Sequence, residues 1–148
     1  MKLTHIVCLC LLATLVFCQE VDLTKDGGVL KKVVIEGKGP SPPPGSQVSV
    51  HYVGTLPNGK LFDSSRKRGE RFEFSLGVGQ VIKGWDIGVA SMKKGETSIF
   101  TLTSDYAYGS HGAGSDIPPG ATLIFEVELF GWDSDDDLWE GIDDEAEL

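Results

Sequence analysis

The chain has 148 residues. After residue 18, only the stretch from residue 76 to residue 92 has the periodicity of a helix. Its large apolar residues recur at spacings of four, four and three: Val81, Trp85, Val89 and Met92. A short helix would place these side chains on one face. Gly84 and Gly88 each cost such a helix about 1 kcal/mol relative to alanine, so it requires packing against other elements. The Lys-Lys-Gly sequence at 93–95 predicts the helix end, with cations at the negative end of the dipole and a left-handed glycine cap.

Strand patterns flank the predicted helix on both sides, in segments rich in β-branched and aromatic residues. These segments are 29–36, 47–55, 71–76, 97–103 and 122–132. Alternation is clearest in the second segment, where Val48, Val50 and Tyr52 share one face. In the fourth segment Ile99 is expected to face inward, with the direction of Phe100 left open. The pattern predicts an α+β fold, with about five antiparallel strands around one central helix.

Acidic residues are concentrated at the C-terminus. Residues 133–148 hold nine of the 22 acidic side chains and no Lys or Arg, so the rest of the chain has 13 acidic and 13 basic residues. A nearly neutral body without a basic patch argues against nucleic-acid binding. The segment 133–148 is predicted to be a disordered, solvated tail. Its first residues resemble a calcium loop, but Leu138 stands where that loop requires glycine, so weak calcium binding is the lesser alternative.

The segment 1–18 has the features of a cleaved secretory signal, namely one early lysine, a short apolar run and small residues before the cleavage site. The alternatives are an uncleaved anchor, for which the run is short, and a buried strand. All three cysteines, Cys8, Cys10 and Cys18, lie within this segment, so thiol chemistry is excluded for the mature chain. The terminal Glu-Leu pair at 147–148 matches the end of a retrieval signal. The predicted location is therefore the lumen of the endoplasmic reticulum, with secretion as the alternative.

Residues 19–44 are predicted to form an N-terminal strand and a proline-rich lead-in. Four prolines between 40 and 44 exclude a helix or a central strand there. A proline-rich ligand for another domain is possible at this point, but a loop is the favoured interpretation.

Motifs for several other chemistries are incomplete. Gly77 and Gly79 precede the predicted helix, but Ile82 stands at the third glycine position of a dinucleotide-binding loop. Outside the signal segment the histidines are His51 and His111, and neither belongs to a zinc or hydrolase motif. The sequence therefore predicts no metal and no cofactor.

The sequence has an unusual number of aromatic and apolar residues near loops. It also has a long segment without periodicity at 105–120. Each apolar residue alone is expected to belong to the core, but together they would suit a dry pocket with polar groups from Asp63 and Tyr108. A loop as long as 105–120 is typical of function. The members of the set are Tyr52, Phe62, Phe72, Val81, Ile82, Trp85, Tyr108 and Phe125. Periodicity alone does not identify what enters the pocket.

Seven motifs follow one another between residues 45 and 132. They are V-H-Y-V-G at 50–54, G-K-L-F-D-S-S at 59–65, L-G at 76–77, V-I-K-G-W-D at 81–86, D-Y-A-Y-G at 105–109, I-P-P at 117–119 and L-I-F-E-V-E-L at 123–129. In this order they resemble the macrolide-binding (FKBP-type) peptidyl-prolyl cis-trans isomerases. The segment 45–132 is therefore identified as an isomerase domain of this type. The resemblance implies a twisted antiparallel sheet that wraps around one short helix.

The resemblance also implies an activity and the residues that carry it. The activity is acceleration of X-Pro amide rotation in folding polypeptides, with rapamycin-type macrolides as ligands of the same pocket. Trp85 would form the pocket floor, and the Ile82 amide and the Tyr108 hydroxyl would donate hydrogen bonds to the bound peptide. The catalytic residues it implies are Tyr52, Phe62, Asp63, Val81, Ile82, Trp85, Tyr108 and Phe125, and the further substrate- or macrolide-binding residues are Phe72 and Arg68.

Two other functions stay open at this point. The chain could be a non-catalytic module that binds proline-containing peptides or macrolides, or a chaperone that recruits partners through its acidic tail. A complete set of pocket residues favours the enzyme. A neutral body with a charged tail suits a soluble monomer, without stable membrane insertion once the signal is cleaved.

Overall fold

The computed structural model describes residues 19–133, so the predicted signal segment at 1–18 and the acidic tail from 134 onward, with its calcium alternative, lie outside the described residues. The strands are β1 (Val21–Asp22), β2 (Val29–Ile35), β3 (Gln47–Thr55), β4 (Leu61–Ser64), β5 (Phe72–Ser75), β6 (Thr97–Leu102) and β7 (Leu123–Trp132). The α-helices are α1 (Ser65–Arg68) and α2 (Lys83–Ala90). Two short 3-10 helices cover Ser104–Tyr106 and Gly109–His111.

The strands form one antiparallel sheet in the order β1-β2-β6-β7-β3-β4, and β5 also pairs with β3. β7 lies along one edge of β3, while β5 and β4 share the other edge. The α+β prediction is confirmed, with seven strands in the described part of the chain rather than about five. β1 has two residues and β4 has four, which is too short for a clear period-two pattern.

Inward-facing side chains alternate along the long strands. In β3, Val48 and Val50 are completely buried. In β6 the inward residue is Phe100, which is 3% exposed, while Ile99 lies on the opposite face, so the expectation for Ile99 is wrong. The reason is that Ser98, a small polar residue, is completely buried on the inner face of β6. A pattern of large apolar residues does not reveal such a position.

The helix α2 is shorter than its apolar pattern. Trp85 and Val89 are buried within the helix, while Val81 and Met92 lie in the segments before and after it. All four residues nevertheless belong to the hydrophobic core or pack against it. The pattern therefore identified the packing face of this region better than it identified the helix bounds.

Close packing explains the two glycines of α2. A Cβ atom at Gly84 would lie 2.6 Å from Leu102 Cδ1, and a Cβ at Gly88 would lie 2.9 Å from Phe100 Cε1. Both distances are well below the van der Waals separation of two carbon atoms. The backbone of α2 therefore approaches β6 closely, and this packing offsets the poor helix propensity of glycine.

The end of α2 differs from the expectation. The helix ends at Ala90, and its cap Ser91 is right-handed. Gly95, with a φ of +84°, lies in the turn that leads to β6. The predicted cap at 93–95 is therefore wrong. The cation at the helix end comes from β2 instead, because Lys31 Nζ donates a hydrogen bond to the Ser91 carbonyl at 3.0 Å.

Lys31 also forms a buried ion pair. Its Nζ lies 2.9 Å from Glu96 Oε2, and the two side chains are only 9% and 6% exposed. Ser98 Oγ donates a second hydrogen bond to the same carboxylate oxygen at 2.9 Å. This polar cluster joins β2 to β6 and to the C-terminal end of α2.

The segment between β6 and β7 is folded back on itself. Besides its two 3-10 helices, it contains a small bridge in which Ala113 and Ile117 exchange backbone hydrogen bonds at 2.9 and 3.1 Å. Gly120 N–H closes the segment by donating to the Gly109 carbonyl at 2.9 Å. Among residues 19–133, no helix is both long enough and apolar enough to cross a membrane.

Candidate functional site

Ten side chains line a cavity of about 500 Å³. They are Tyr52, Phe62, Asp63, Phe72, Gln80, Val81, Ile82, Trp85, Tyr108 and Phe125. They come from β3, β4, β5, β7, α2, the loop before α2 and the segment after β6. The structure thus brings together every residue that the sequence assigned to the site except Arg68, which does not line the cavity. Gln80 is a lining residue that the sequence did not indicate.

Trp85 is at the centre of an aromatic cluster. The ring of Tyr52 lies 4.9 Å from it at an interplanar angle of 82°, and that of Phe125 lies 5.3 Å from it at 89°. Phe72 and Phe74 lie 5.8 and 5.7 Å away. The pairs with Tyr52, Phe72 and Phe125 are edge-to-face, which is a favourable arrangement of aromatic rings, and the pair with Phe74 is tilted by 57°. The Trp85 Nε1 atom is buried and has no hydrogen-bond partner in the described part of the chain.

Phe62 of β4 extends the cluster. Its ring packs edge-on against Phe125 at 5.5 Å and 87°. Gly54 leaves the room for both rings, because a Cβ atom there would lie 2.7 Å from Phe62 Cζ and 2.9 Å from Phe125 Cε1. This wall of the cavity therefore depends on the absence of a side chain at position 54 of β3.

A polar group of three side chains, Tyr52, Asp63 and Arg68, forms at the edge of the cavity. The Tyr52 hydroxyl donates to Asp63 Oδ2 at 2.5 Å and accepts from Arg68 Nη2 at 2.9 Å. Arg68 Nη1 forms an ion pair with Asp63 Oδ1. Arg68 therefore acts on the cavity through its two partners rather than by lining it. The group fixes the hydroxyl end of the Tyr52 side chain.

The pKa values in the cavity are shifted away from neutral pH. Burial, followed by the hydrogen bond to Asp63, raises the pKa of the Tyr52 hydroxyl above its ordinary 10.0. Burial also acts to raise the pKa of Asp63, but hydrogen bonds from Tyr52 and Arg68 outweigh it and leave the pKa below 3.8. Burial and the charge of Asp63 raise the pKa of Tyr108. At neutral pH the Asp63 carboxyl is therefore ionised and the Tyr52 and Tyr108 hydroxyls are protonated.

The helix α1 holds the backbone of Tyr52 through a hydrogen bond. Ser64 caps this helix by accepting the Lys67 N–H at 3.2 Å, and Gly69 ends it with a φ of +68°. The buried Ser65 Oγ accepts a hydrogen bond from the Tyr52 N–H at 2.8 Å. Sequence reasoning missed α1, although a serine cap and a glycine end are its ordinary signals.

The loop before α2 is held by a carboxylate. Asp86 of α2 accepts hydrogen bonds from the Gly77 and Gly79 N–H groups at 2.8 and 3.1 Å. Gln80 Oε1 accepts one from the Ser75 N–H at 2.9 Å. The loop therefore delivers residues 80–82 to the cavity in a fixed conformation. No partner for the N–H of Ile82 occurs among the described residues.

The cavity wall offers apolar contact and hydrogen bonds. Within the described residues it contains no serine, cysteine, lysine or histidine. Among residues 19–133, no three His, Cys, Asp or Glu side chains are close enough to hold a metal ion. His51, one of the two histidines of the described chain, lies on the other face of β3 and shares a hydrogen bond with Ser65 Oγ at 2.8 Å.

The family description "FKBP-type peptidyl-prolyl cis-trans isomerase" matches residues 39–130 of this chain. The chain therefore belongs to the FKBP-type peptidyl-prolyl cis-trans isomerases, as the motifs indicated. It is an enzyme that accelerates the cis-trans isomerisation of X-Pro amides.

Several relatives cover most of this chain. FK506-binding protein 1 of Dictyostelium discoideum is 64% identical over 102 residues, which are 69% of this chain and 95% of that protein. FK506-binding protein 1 of Yarrowia lipolytica is 52% identical over 105 residues, which are 70% of this chain and 97% of that protein. The Homo sapiens peptidyl-prolyl cis-trans isomerase FKBP4 is 49% identical over 118 residues, which are 79% of this chain but 26% of that protein.

Proposed function

We propose that X-Pro-containing polypeptides bind with the proline ring against Trp85 and with the preceding amide inside the aromatic cavity. The observation that carries this proposal is the cluster of four rings around Trp85, at the wall of a cavity of about 500 Å³. A mostly apolar pocket with a few polar groups is the usual form of a site for a small ligand. In this proposal Val81, Phe72 and Phe125 supply apolar walls.

The mechanism follows from the electronic structure of the amide. Resonance gives the planar amide its charge separation and produces a rotation barrier of about 18–20 kcal/mol. The twisted transition state has lost this resonance and is less polar, so an apolar cavity favours it over the planar form. A preference of about 7 kcal/mol would accelerate rotation roughly 10⁵-fold. The step needs neither a nucleophile nor a proton relay.

Polar groups orient the peptide in this proposal. The Ile82 N–H and the Tyr108 hydroxyl donate hydrogen bonds to its carbonyl oxygens. An N–H without another partner is a suitable donor, because binding costs it no existing hydrogen bond. Asp63, held by Tyr52 and Arg68, supports the polar edge of the site and is ionised at neutral pH.

Rapamycin-type macrolides are proposed to occupy the same cavity and to block turnover. The test is protease-coupled isomerisation of a short X-Pro peptide by residues 19–148, with and without rapamycin. Because Phe62 lines the cavity and packs against Phe125, Phe62→Ala should lower kcat/KM roughly tenfold and weaken rapamycin binding. Phe130→Ala is the matched control, since Phe130 is also half-buried but contacts His51 and Arg71 outside the cavity.

The proposed site is supported if rapamycin inhibits turnover and if Phe62→Ala, but not Phe130→Ala, lowers kcat/KM. Equal kcat/KM in the two folded variants would contradict it. Macrolide binding without turnover would instead favour a binding module.

We further propose that the chain enters the secretory pathway and resides in the endoplasmic reticulum, with secretion as the alternative. The support is the signal-like segment 1–18, which contains all three cysteines, and the terminal Glu-Leu pair. When the full chain is produced in a eukaryotic host, N-terminal sequencing should give Gln19 as the first residue. A product that retains Met1 would contradict the proposal. The distribution of the product between medium and microsomes distinguishes secretion from retention.

A further inference from the structure

The residues before β2 close into a hydrogen-bonded turn, here called the N-terminal turn (residues 22–28). The Asp22 carboxylate accepts hydrogen bonds from three backbone N–H groups of this turn at 2.8, 2.9 and 3.2 Å. Thr24 Oγ1 donates to Asp26 Oδ1 at 2.5 Å and accepts from the Val29 N–H at 3.1 Å. The position of the Asp26 carboxylate is therefore set by the turn itself.

The N-terminal turn holds Tyr106, which is 80 residues away in the chain. The Tyr106 hydroxyl donates to Asp26 Oδ2 at 2.6 Å. The Tyr106 ring also occupies the space where residue 28 would carry a side chain, because a Cβ at Gly28 would lie 2.0 Å from Tyr106 Cε2. The Gly28 carbonyl accepts the Thr103 N–H at 3.0 Å. Both ends of the segment 103–106 are thus fixed to the turn.

Tyr106 lies two residues before Tyr108, whose ring lines the cavity. Between them Ala107 adopts φ −129° and ψ −116°, a sparsely populated conformation, and Gly109 follows with a φ of +62°. Within the described residues the Tyr108 hydroxyl makes no hydrogen bond. The position of its ring therefore depends on the backbone on either side, one side of which is fixed by Tyr106.

We propose that the N-terminal turn is a clamp for the substrate-binding segment, in which Asp26 and Tyr106 are positioning residues that hold Tyr108 at the cavity. The inference rests on the proposed role of Tyr108 as a donor to the bound peptide. That hydrogen bond forms in the substrate complex and in the transition state alike, so loss of the clamp raises KM and leaves kcat nearly unchanged. Residues upstream of β2 thereby influence peptide affinity at a site that they do not touch.

Tyr106→Phe, which removes only the hydroxyl, tests the clamp in residues 19–148. KM should rise roughly three- to tenfold, the effect of one hydrogen bond, while kcat stays within about twofold. Backbone amide exchange should become faster at 106 and 107, whose N–H groups are hydrogen-bonded within the segment. Asp26→Ala should have the same effects, and Asp26→Asn, whose side-chain amide can donate to the Tyr106 hydroxyl, should restore most of the affinity.

Two comparisons make the test specific. Arg66→Met, which removes an exposed ion pair with Glu128, should leave KM and the amide exchange at 106 and 107 unchanged. In a Tyr108→Phe background, Tyr106→Phe should raise KM no further, because the clamp acts through Tyr108. An additive increase would overturn the proposal, as would wild-type exchange rates in Tyr106→Phe. If Tyr108→Phe alone has a wild-type KM, the donor role in the proposed function fails, and faster exchange in Tyr106→Phe would still support the clamp itself.

Discussion

Trp85→Leu is expected to lower kcat/KM for a short X-Pro peptide roughly 10- to 100-fold while the protein remains folded. The indole ring contacts four other aromatic rings and lines the cavity. An aromatic pair contributes about 0.5–1.5 kcal/mol beyond the area it buries. Trp85→Leu removes the contacts of the indole ring with the twisted amide and with the surrounding aromatic rings. If these contacts are equivalent to about two aromatic pairs, their loss corresponds to the expected 10- to 100-fold decrease in kcat/KM. The measurement is protease-coupled isomerisation at a temperature where circular dichroism shows a native spectrum.

Trp132→Leu is the matched control for this experiment. Trp132 is a half-buried tryptophan that packs against the same core, but it lines a separate groove with Gln47 and Arg71. Both substitutions remove core contacts and lower the melting temperature, so stability alone cannot distinguish them. Only Trp85→Leu should lose activity beyond the unfolded fraction. Equal kcat/KM for the two folded variants would show that the ring of Trp85 has no part in the reaction.

The sequence predicted the fold where burial coincides with large apolar residues. Alternation in β3 placed Val48 and Val50 correctly, because this strand faces the core on one side only. The prediction failed at Ile99, because the buried row of β6 includes Ser98, which donates to a buried carboxylate. It failed again at the end of α2, where the cation comes from Lys31, more than 50 residues earlier in the chain. A polar group that is buried through long-range contacts leaves no periodic signal.

The apolar residues near loops suggested a pocket, and the motifs, rather than spacing, assigned its residues. Spacing cannot bring Tyr52, Trp85 and Phe125 together, because their proximity depends on the pairing of β3 with β7 and on the close approach of α2 to β6. Gln80 was missed because its placement depends on a loop held by Asp86, which no pattern shows. The roles of the individual cavity residues stay predictions until the variants above are measured.

Lys31→Met is expected to destabilise the protein by about 3–5 kcal/mol, because it leaves the buried carboxylate of Glu96 without its cation. Glu96 would keep only the hydrogen bond from Ser98, and the Ser91 carbonyl at the end of α2 would lose its donor. Urea unfolding of residues 19–148 at neutral pH measures the change. For a domain of this size the melting temperature should fall by roughly 10–20 °C.

Two further variants separate the lost pair from a general loss of packing. In Lys31→Met/Glu96→Leu both charges are absent, and most of the stability should return, because apolar side chains replace buried ion pairs at little cost. Arg66→Met breaks the exposed ion pair with Glu128, whose side chains are 43% and 30% exposed, and should change the free energy of unfolding by less than about 1 kcal/mol. If Lys31→Met costs no more than Arg66→Met, the interior cluster does not stabilise the fold. If the double variant is as unstable as Lys31→Met, the cost lies in the missing hydrogen bond to the helix end rather than in the unpaired charge.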